Sequence, residues 1–194
     1  MATATLSTQD FREHKARFAV LLFIASEAIF FALIMAAYVY YTGSSPDGPN
    51  AHTVLDPLKT GFYTICLLSS SITVWLAERA LRLEKRGLAF WLIVTMLLGI
   101  VFLYGEMKEY FKLLHENVTV SRDLFGSTYY TLTGFHALHV VCGLSLLGVA
   151  LSFALRGKRG PKQRIAVECI SYYWHFVDAV WVGVFSIIYL WSAH

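Results

Sequence analysis

The segment ECISYYWHFVDAVWVGVFSIIYLW, residues 168–191, is the most informative part of this sequence. It is long and apolar enough to cross a bilayer, since a membrane-spanning helix needs about 20 predominantly apolar residues. Its spacings of seven and three nevertheless place Glu168, His175 and Asp178 on one helical face. A charge near the bilayer centre costs a few kcal/mol or more, so such groups normally face the interior of a helix bundle. The segment therefore predicts a bundle whose other helices cover this polar face.

The composition of the whole chain agrees with a membrane protein. Of its 194 residues, 57% are hydrophobic and 15% are charged, and the mean hydropathy is +0.55. Such a balance is too apolar for an ordinary soluble domain of this size. We predict an all-α, polytopic protein with one transmembrane domain over residues 1–194. Its five spanning helices are expected at about residues 18–41, 60–80, 88–111, 125–155 and 165–191.

Basic residues predict the orientation of the bundle. The amino-terminal tail and the second and fourth connections hold three, four and five of the 16 Lys and Arg residues. Loops rich in Lys and Arg stay on the inner side of a membrane. We therefore expect the amino terminus inside and the carboxyl terminus outside. These basic runs are read as topology signals that contact anionic lipid, in preference to a nucleic-acid site.

The first connection, residues 42–57, is rich in Gly, Pro and Ser and is predicted to be an irregular loop.

Polar groups of three predicted helices fall at similar depths in the membrane. Counting residues at the standard rise of about 1.5 Å per residue puts Glu27 of the first helix near the midplane. The fourth helix brings His136 and His139 to that level, and the fifth brings His175 and Asp178. Glu168 is expected nearer the inner interface. The sequence thus predicts one central polar layer between the helices.

Three chemical interpretations of this polar layer stay open. In the first, carboxylates and imidazoles bond one another and fix the packing of the helices. In the second, the same groups exchange protons with a water chain. In the third they bind a metal, because His136, His139, Glu27 and Asp178 are suitable ligands for Fe, Zn or Mn. Haem ligation by His136 and His175 is disfavoured, because nearby acids can hydrogen-bond both imidazoles. The structural interpretation is favoured, and the metal interpretation is the weakest, because two histidines three residues apart on an apolar helix are a weak signal.

Two acidic residues near the end of the third helix receive a different interpretation. Glu106 and Glu109 are expected in accessible headgroup surroundings, where Lys108 and Lys112 can pair with them.

The three cysteines lie inside apolar segments without a Cys-x-x-Cys spacing, which is typical of small core residues.

Five stretches together resemble one known family, subunit III of the haem–copper terminal oxidases. They touch every predicted helix and keep their order along the chain: FIASEAIFF (23–31), LLSSSITVWLA (67–77), GIVFLYGEMKEYF (99–111), GSTYYTLTGFHALHV (126–140) and the final segment (168–191). Any one of these stretches alone is weak. Their combination is specific, because it joins a glutamate in the first helix to G-F-H-x-L-H in the fourth and W-H-F-V-D-x-V-W in the fifth.

The resemblance implies an accessory subunit of cytochrome c oxidase that is not itself catalytic and has no catalytic, cofactor or metal site of its own. It implies contact with oxidase subunits I and II and with phospholipids, with haem and copper held by those two subunits. In the family, subunit III sustains proton uptake into subunit I and protects its active site. The resemblance also implies an energy-transducing membrane, here the bacterial inner membrane, and leaves membership of a larger respiratory assembly open. The family's polar positions match Glu27, His136, His139, Glu168, His175 and Asp178.

Two alternatives and one departure accompany the resemblance. Subunit III of a quinol oxidase has the same five-helix plan, although the aromatic run YYWH (172–175) favours the cytochrome c branch. A stand-alone membrane metalloprotein or transporter is the alternative from another class. The mitochondrial-type subunit has seven helices, and this chain resembles the last five. We therefore expect helices of another subunit to cover the first helix of this chain.

Overall fold

Five long helices make up the described parts of the chain in the computed structural model. It describes residues 8–41, 55–83, 87–120, 124–157 and 160–191. The helices are α1 (Thr8–Tyr41), α2 (Pro57–Arg82), α3 (Leu88–His115), α4 (Leu124–Leu155) and α5 (Pro161–Phe185). Each is long and apolar enough to cross a membrane, α5 together with the turn that continues it, and the described residues form no strand. The predicted all-helical architecture with five spanning helices is confirmed.

Most helices extend beyond the apolar segments from which they were predicted. The first begins at Thr8 instead of residue 18, and the third ends at His115 instead of residue 111. The reason is that hydropathy marks where hydrocarbon ends, whereas a helix continues through polar turns for as long as its backbone bonds are made. The predicted loop at residues 42–57 lies mostly outside the described residues, as do parts of the second and fourth connections.

Polar capping begins the second helix. The side chain of Asp56 accepts a hydrogen bond from the backbone N–H of Lys59 at 3.3 Å, and Pro57 occupies the first turn, where a missing N–H costs nothing. The ammonium of Lys59 stands 2.8 Å from the Asp56 carboxylate. Hydrogen bonds from Lys59 lower the pKa of the Asp56 carboxyl, so it stays ionised as an acceptor for the helix terminus.

A π-helical turn, Ser186–Trp191, continues α5 to the end of the described chain. The sequence predicts one regular helix there, since its apolar pattern carries no signal for a wider turn. Ile188 and Tyr189 are buried within the turn, whereas Leu190 and Trp191 are exposed. The change of helix type therefore sets which side chains of the last turn face the bundle.

Two tryptophans of α5 fill the centre of the bundle. Trp174 and Trp181 are both fully buried. The indole N–H of Trp174 donates to the hydroxyl of Ser70 at 2.8 Å, and that of Trp181 donates to the hydroxyl of Thr64 at 2.9 Å. Both acceptors lie on α2. Each indole thus buries a large apolar surface while its polar atom bonds a neighbouring helix, as a buried tryptophan requires.

The first helix lies at the edge of the bundle and packs on α4 and α5. Only 6% of the most apolar part of α1 is buried within the chain, against 44% for α5 and the turn that continues it. Large apolar side chains such as Phe18, Ile29 and Leu33 are exposed along its outer side. The four remaining helices therefore form the core, and α1 leaves an apolar face uncovered by this chain.

We expect Gly143→Ala to destabilise the fold by about 1–3 kcal/mol, the usual cost of adding a methyl group to a packed core. A Cβ at this position would stand 2.8 Å from two ring carbons of the fully buried Trp174. Thermal unfolding of the purified protein in detergent measures the loss. The control is Gly148→Ala, where the added methyl would meet only the end of the flexible Met96 side chain at 3.9 Å. Equal losses in both variants would contradict this account of the packing.

Candidate functional site

The glutamate of α1 pairs with the second histidine of α4. The Nε2 atom of His139 lies 3.1 Å from Oε2 of Glu27, and its Nδ1 lies 2.7 Å from the carbonyl oxygen of Phe135. A carbonyl can only accept, so Nδ1 carries a proton and donates it. A hydrogen bond between Nε2 and the carboxyl then needs one further proton, held by either atom. Glu27 and His139 together thus form a half-buried, one-proton link between two helices.

The other histidine of α4 has a different environment. His136 is fully buried, with its ring tilted against Trp181 at a centroid distance of 4.8 Å and edge-on to Phe102 at 5.7 Å. Neither ring nitrogen has a hydrogen-bond partner among the described residues. The spacing of three therefore does not bring His136 and His139 to a common partner. Aromatic packing surrounds the first, and a carboxyl group bonds the second.

Two residues of α5 share one hydroxyl of α2. Ser71 donates its hydroxyl proton to Oδ2 of Asp178, and its Oγ lies 3.0 Å from Nδ1 of His175. A serine hydroxyl has a single proton, so Nδ1 of His175 donates to Ser71. Asp178 is only 3% exposed. Ser71 belongs to a run of three serines at mid-helix, whose hydroxyls the sequence predicts to bond either their own helix or a neighbouring one.

Glu168 joins three helices at the end of the bundle where α1 and α5 begin. It accepts a hydrogen bond from Arg17 of α1 at 3.0 Å and from the hydroxyl of Tyr172 at 2.7 Å. Arg82 of α2 lies 3.8 Å away and also pairs with Glu78 at 2.5 Å. The charged side chains of this cluster, Arg17, Glu78, Arg82 and Glu168, line a polar cavity of about 450 Å³. Arg17 and Arg82 were predicted only as topology signals. Their predicted depth in the membrane is similar to that of Glu168, and this similarity could have indicated the pairing.

The interpretation of Glu106 as an accessible headgroup residue is wrong. Glu106 is 4% exposed and faces the bundle. Lys108 instead lies over the ring of Tyr104 at 4.8 Å, and Lys112 lies 3.8 Å from Glu116. The prediction failed because a residue near the end of a helix was assumed to contact water. The face of the helix on which a residue lies determines whether it contacts the bundle.

The six predicted polar residues occupy four separate environments in the structure. Glu27 is paired with His139, His136 lies among aromatic rings, His175 and Asp178 share Ser71, and Glu168 bonds arginine and tyrosine. Within the described ranges, no three His, Cys, Asp or Glu side chains are grouped so as to hold a metal ion. The arrangement can fix helix packing and hold protons at defined atoms.

Five long apolar helices, joined by polar side chains that bond from one helix to another, define a polytopic helical membrane protein. The family model described as cytochrome c oxidase subunit III matches residues 5–193. This chain belongs to the cytochrome c oxidase subunit III family. The resemblance seen in its five sequence stretches is thereby confirmed.

Individual relatives agree with the family. The chain is 38% identical to cytochrome c oxidase subunit 3 of Corynebacterium diphtheriae, with 87% of this chain and 84% of that protein covered. It is also 38% identical to cytochrome c oxidase subunit 3 of Synechocystis sp., over 89% of this chain and 74% of that protein. Cytochrome bo(3) ubiquinol oxidase subunit 3 of Pseudomonas putida is 33% identical, with 87% and 82% covered. The chain is therefore a subunit III of a haem–copper oxidase and belongs to the respiratory chain.

We expect Arg17→Gln to loosen the amino-terminal end of α1. The variant removes the cation that bonds Glu168, and a partly exposed ion pair is worth about 1 kcal/mol. Amide hydrogen exchange in the first three turns of α1 of the assembled oxidase should rise about fivefold, the change in equilibrium for that free energy. Lys15→Gln is the control, because Lys15 lies over the ring of the exposed Phe11. Unchanged exchange in Arg17→Gln would show that the ion pair does not hold α1.

Proposed function

We propose that this chain is an accessory oxidase subunit that contains neither haem nor copper and does no chemistry on oxygen itself. The observation that carries the proposal is that residues of this chain already bond ring nitrogens of His139 and His175. Both ring nitrogens of His139 are bonded, to Glu27 and to Phe135, and Nδ1 of His175 is bonded to Ser71. A haem clamped between His136 and His175 would need the space that the indole of Trp181 fills beside His136.

Subunit I, the haem-bearing catalytic subunit, is the proposed main partner, with subunit II and phospholipid also in contact. The uncovered apolar face of α1 supports an additional contact with helices of another oxidase subunit. A face with Phe18, Ile29 and Leu33 exposed needs an apolar partner, and small residues beside Glu27, such as Ala28, leave room for a close helix. Structure determination of the assembled oxidase tests this contact, and lipid alone against α1 would contradict it.

We place the amino terminus on the inner side of a bacterial inner membrane. The excess of Lys and Arg in the tail and in the second and fourth connections supports this orientation. At the same end, Arg17 and Arg82 are the cations that bond Glu168. The inner surface of the subunit would then carry a polar cavity next to the aqueous compartment from which protons are taken.

The proposed role in proton uptake rests on the pair formed by Glu27 and His139. The pair holds one proton between two atoms of different helices, and Glu27 is 22% exposed at its side chain. A group that can accept or release a proton at mid-membrane can buffer protons for a neighbouring subunit. The same bond fastens α1 to α4, so the pair is structural as well.

Cytochrome c is the proposed electron donor of the whole complex. The family description and the relatives that are 38% identical name cytochrome c oxidases. Quinol is the second candidate, supported by the relative from Pseudomonas putida whose name contains ubiquinol oxidase. The donor is decided by the partner subunits.

Purification from its native membrane in mild detergent should bring down this chain with large haem-bearing subunits. For the cytochrome c assignment, a copper-binding domain should be present in the co-purifying subunit II, which mass spectrometry and metal analysis identify. The chain separated from the complex should show no haem spectrum and no stoichiometric metal. A metal held tightly by His136 and His175 would contradict the accessory role.

We expect Glu27→Gln to assemble normally and to lower steady-state oxygen consumption by less than about twofold. The amide of glutamine can still donate to Nε2 of His139, so the link between α1 and α4 is kept while the exchangeable proton is lost. Oxygen uptake by the purified complex gives the rate, and haem content gives the assembly. Glu116→Gln, at the exposed far end of α3, is the control. Complete loss of oxygen reduction in a fully assembled Glu27→Gln complex would refute an indirect role.

A further inference from the structure

Two carboxyl groups of α3 face the interior of the bundle and take no part in the polar groups described above. We call Glu106 and Glu109 the α3 carboxyl pair. They are three residues apart, so they lie on the same face of the helix. The two carboxyl groups differ in the hydrogen bonds that their oxygens accept, and this difference indicates what the pair binds.

Glu109 is surrounded by hydroxyl groups. Its Oε2 accepts a hydrogen bond from Tyr189 at 2.7 Å, and both of its carboxyl oxygens lie within 3.2 Å of the hydroxyl of Thr60. The hydroxyl groups come from α2 and from the π-helical turn. Lys112 of the same helix adds an attractive charge. This environment fits an ionised carboxylate, which can only accept hydrogen bonds.

Glu106 lacks such donors. It is 4% exposed, and its buried Oε2 has no hydrogen-bond partner among the described residues. The groups that interact with it electrostatically are Glu109 and Tyr110 on its own helix, Tyr129 on α4 and Tyr189 on the π-helical turn. A second negative charge here would be desolvated, without donors, and next to the carboxylate of Glu109. Burial of a carboxylate under these conditions is costly unless it is neutralised.

The backbone next to the pair is irregular. Tyr189, which donates to Glu109, lies within the π-helical turn Ser186–Trp191. Its hydroxyl also stands 3.4 Å from that of Tyr129, which links the pair to α4. Short π-helical segments occur frequently at functional sites, because the wider turn redirects side chains. The turn here directs a phenol towards a buried acid.

We propose that the α3 carboxyl pair is a proton-binding site that carries one proton on Glu106 and leaves Glu109 as the carboxylate. The ligand is a proton, and its release turns the carboxylic acid of Glu106 into a second carboxylate beside the first. The site lies at the end of the bundle opposite Arg17 and Glu168, and it is separate from the pair formed by Glu27 and His139. It therefore adds a second protonatable group, one that faces the other side of the membrane in the proposed orientation.

Infrared spectroscopy of the assembled oxidase at neutral pH tests the site, because a protonated carboxylic acid has a carbonyl stretch that an ionised one lacks. Spectra of the wild type and of Glu106→Gln, Glu109→Gln and Glu116→Gln are compared in H₂O and D₂O. Any signal from the other carboxyl groups, including those of Glu27 and Asp178, is common to all four spectra and cancels in the differences. We expect Glu106→Gln to lose the intensity of one carboxylic acid, while Glu109→Gln and the exposed control Glu116→Gln retain it.

An unchanged carboxylic acid band in Glu106→Gln would overturn the proposal, and so would a loss confined to Glu109→Gln. Assembly provides a second readout, measured as haem content and co-purification of the other subunits. Glutamine matches a neutral carboxylic acid in shape, so Glu106→Gln should assemble as the wild type does. Failure of Glu106→Gln to assemble, while Glu106→Asp assembles without the carboxylic acid band, would show that position 106 needs a charge, and would also overturn the proposal.

Discussion

The absence of water from the hydrocarbon core governs this structure, because every polar side chain at membrane depth must find its partner on another helix or be enclosed. The three ionisable groups of the final helix show how that requirement is met. Glu168 bonds a cation of the first helix, and His175 and Asp178 share a hydroxyl of the second. Each partner lies on a different neighbour. The polar residues thus specify which helices pack together, while the apolar residues supply most of the contact surface.

The sequence predicted the five helices because the length of an apolar segment is fixed by bilayer thickness, a constraint that needs no knowledge of packing. It also predicted the family, because several polar positions recur in one order. Which polar side chains bond one another was harder to predict from the sequence. The spacing of His136 and His139 predicts a common face, yet the rotation of α4 against its neighbours sends one ring among aromatics and the other to Glu27. Only tertiary packing determines that rotation.

Two further features were not predicted from the sequence, for related physical reasons. Glu106 lies near the end of a helix, and distance along the chain says little about which face meets water. The π-helical turn at the end of α5 brings Tyr189 to Glu109 of another helix, and the local apolar pattern carries no signal for it. Both features depend on long-range contacts, and both bear on the same buried site.

The position of the first helix has a mechanical consequence. Arg17 and Glu27 are two described residues of α1 that each make a polar bond to the core. They are separated by ten residues, or about 15 Å along the axis at the standard helical rise. Sliding α1 by one turn along the membrane normal would break both bonds at once, and rotating it would withdraw both side chains from their acceptors. Two anchors at different depths therefore set the vertical register and the rotation of a helix whose outer apolar surface alone would tolerate many positions.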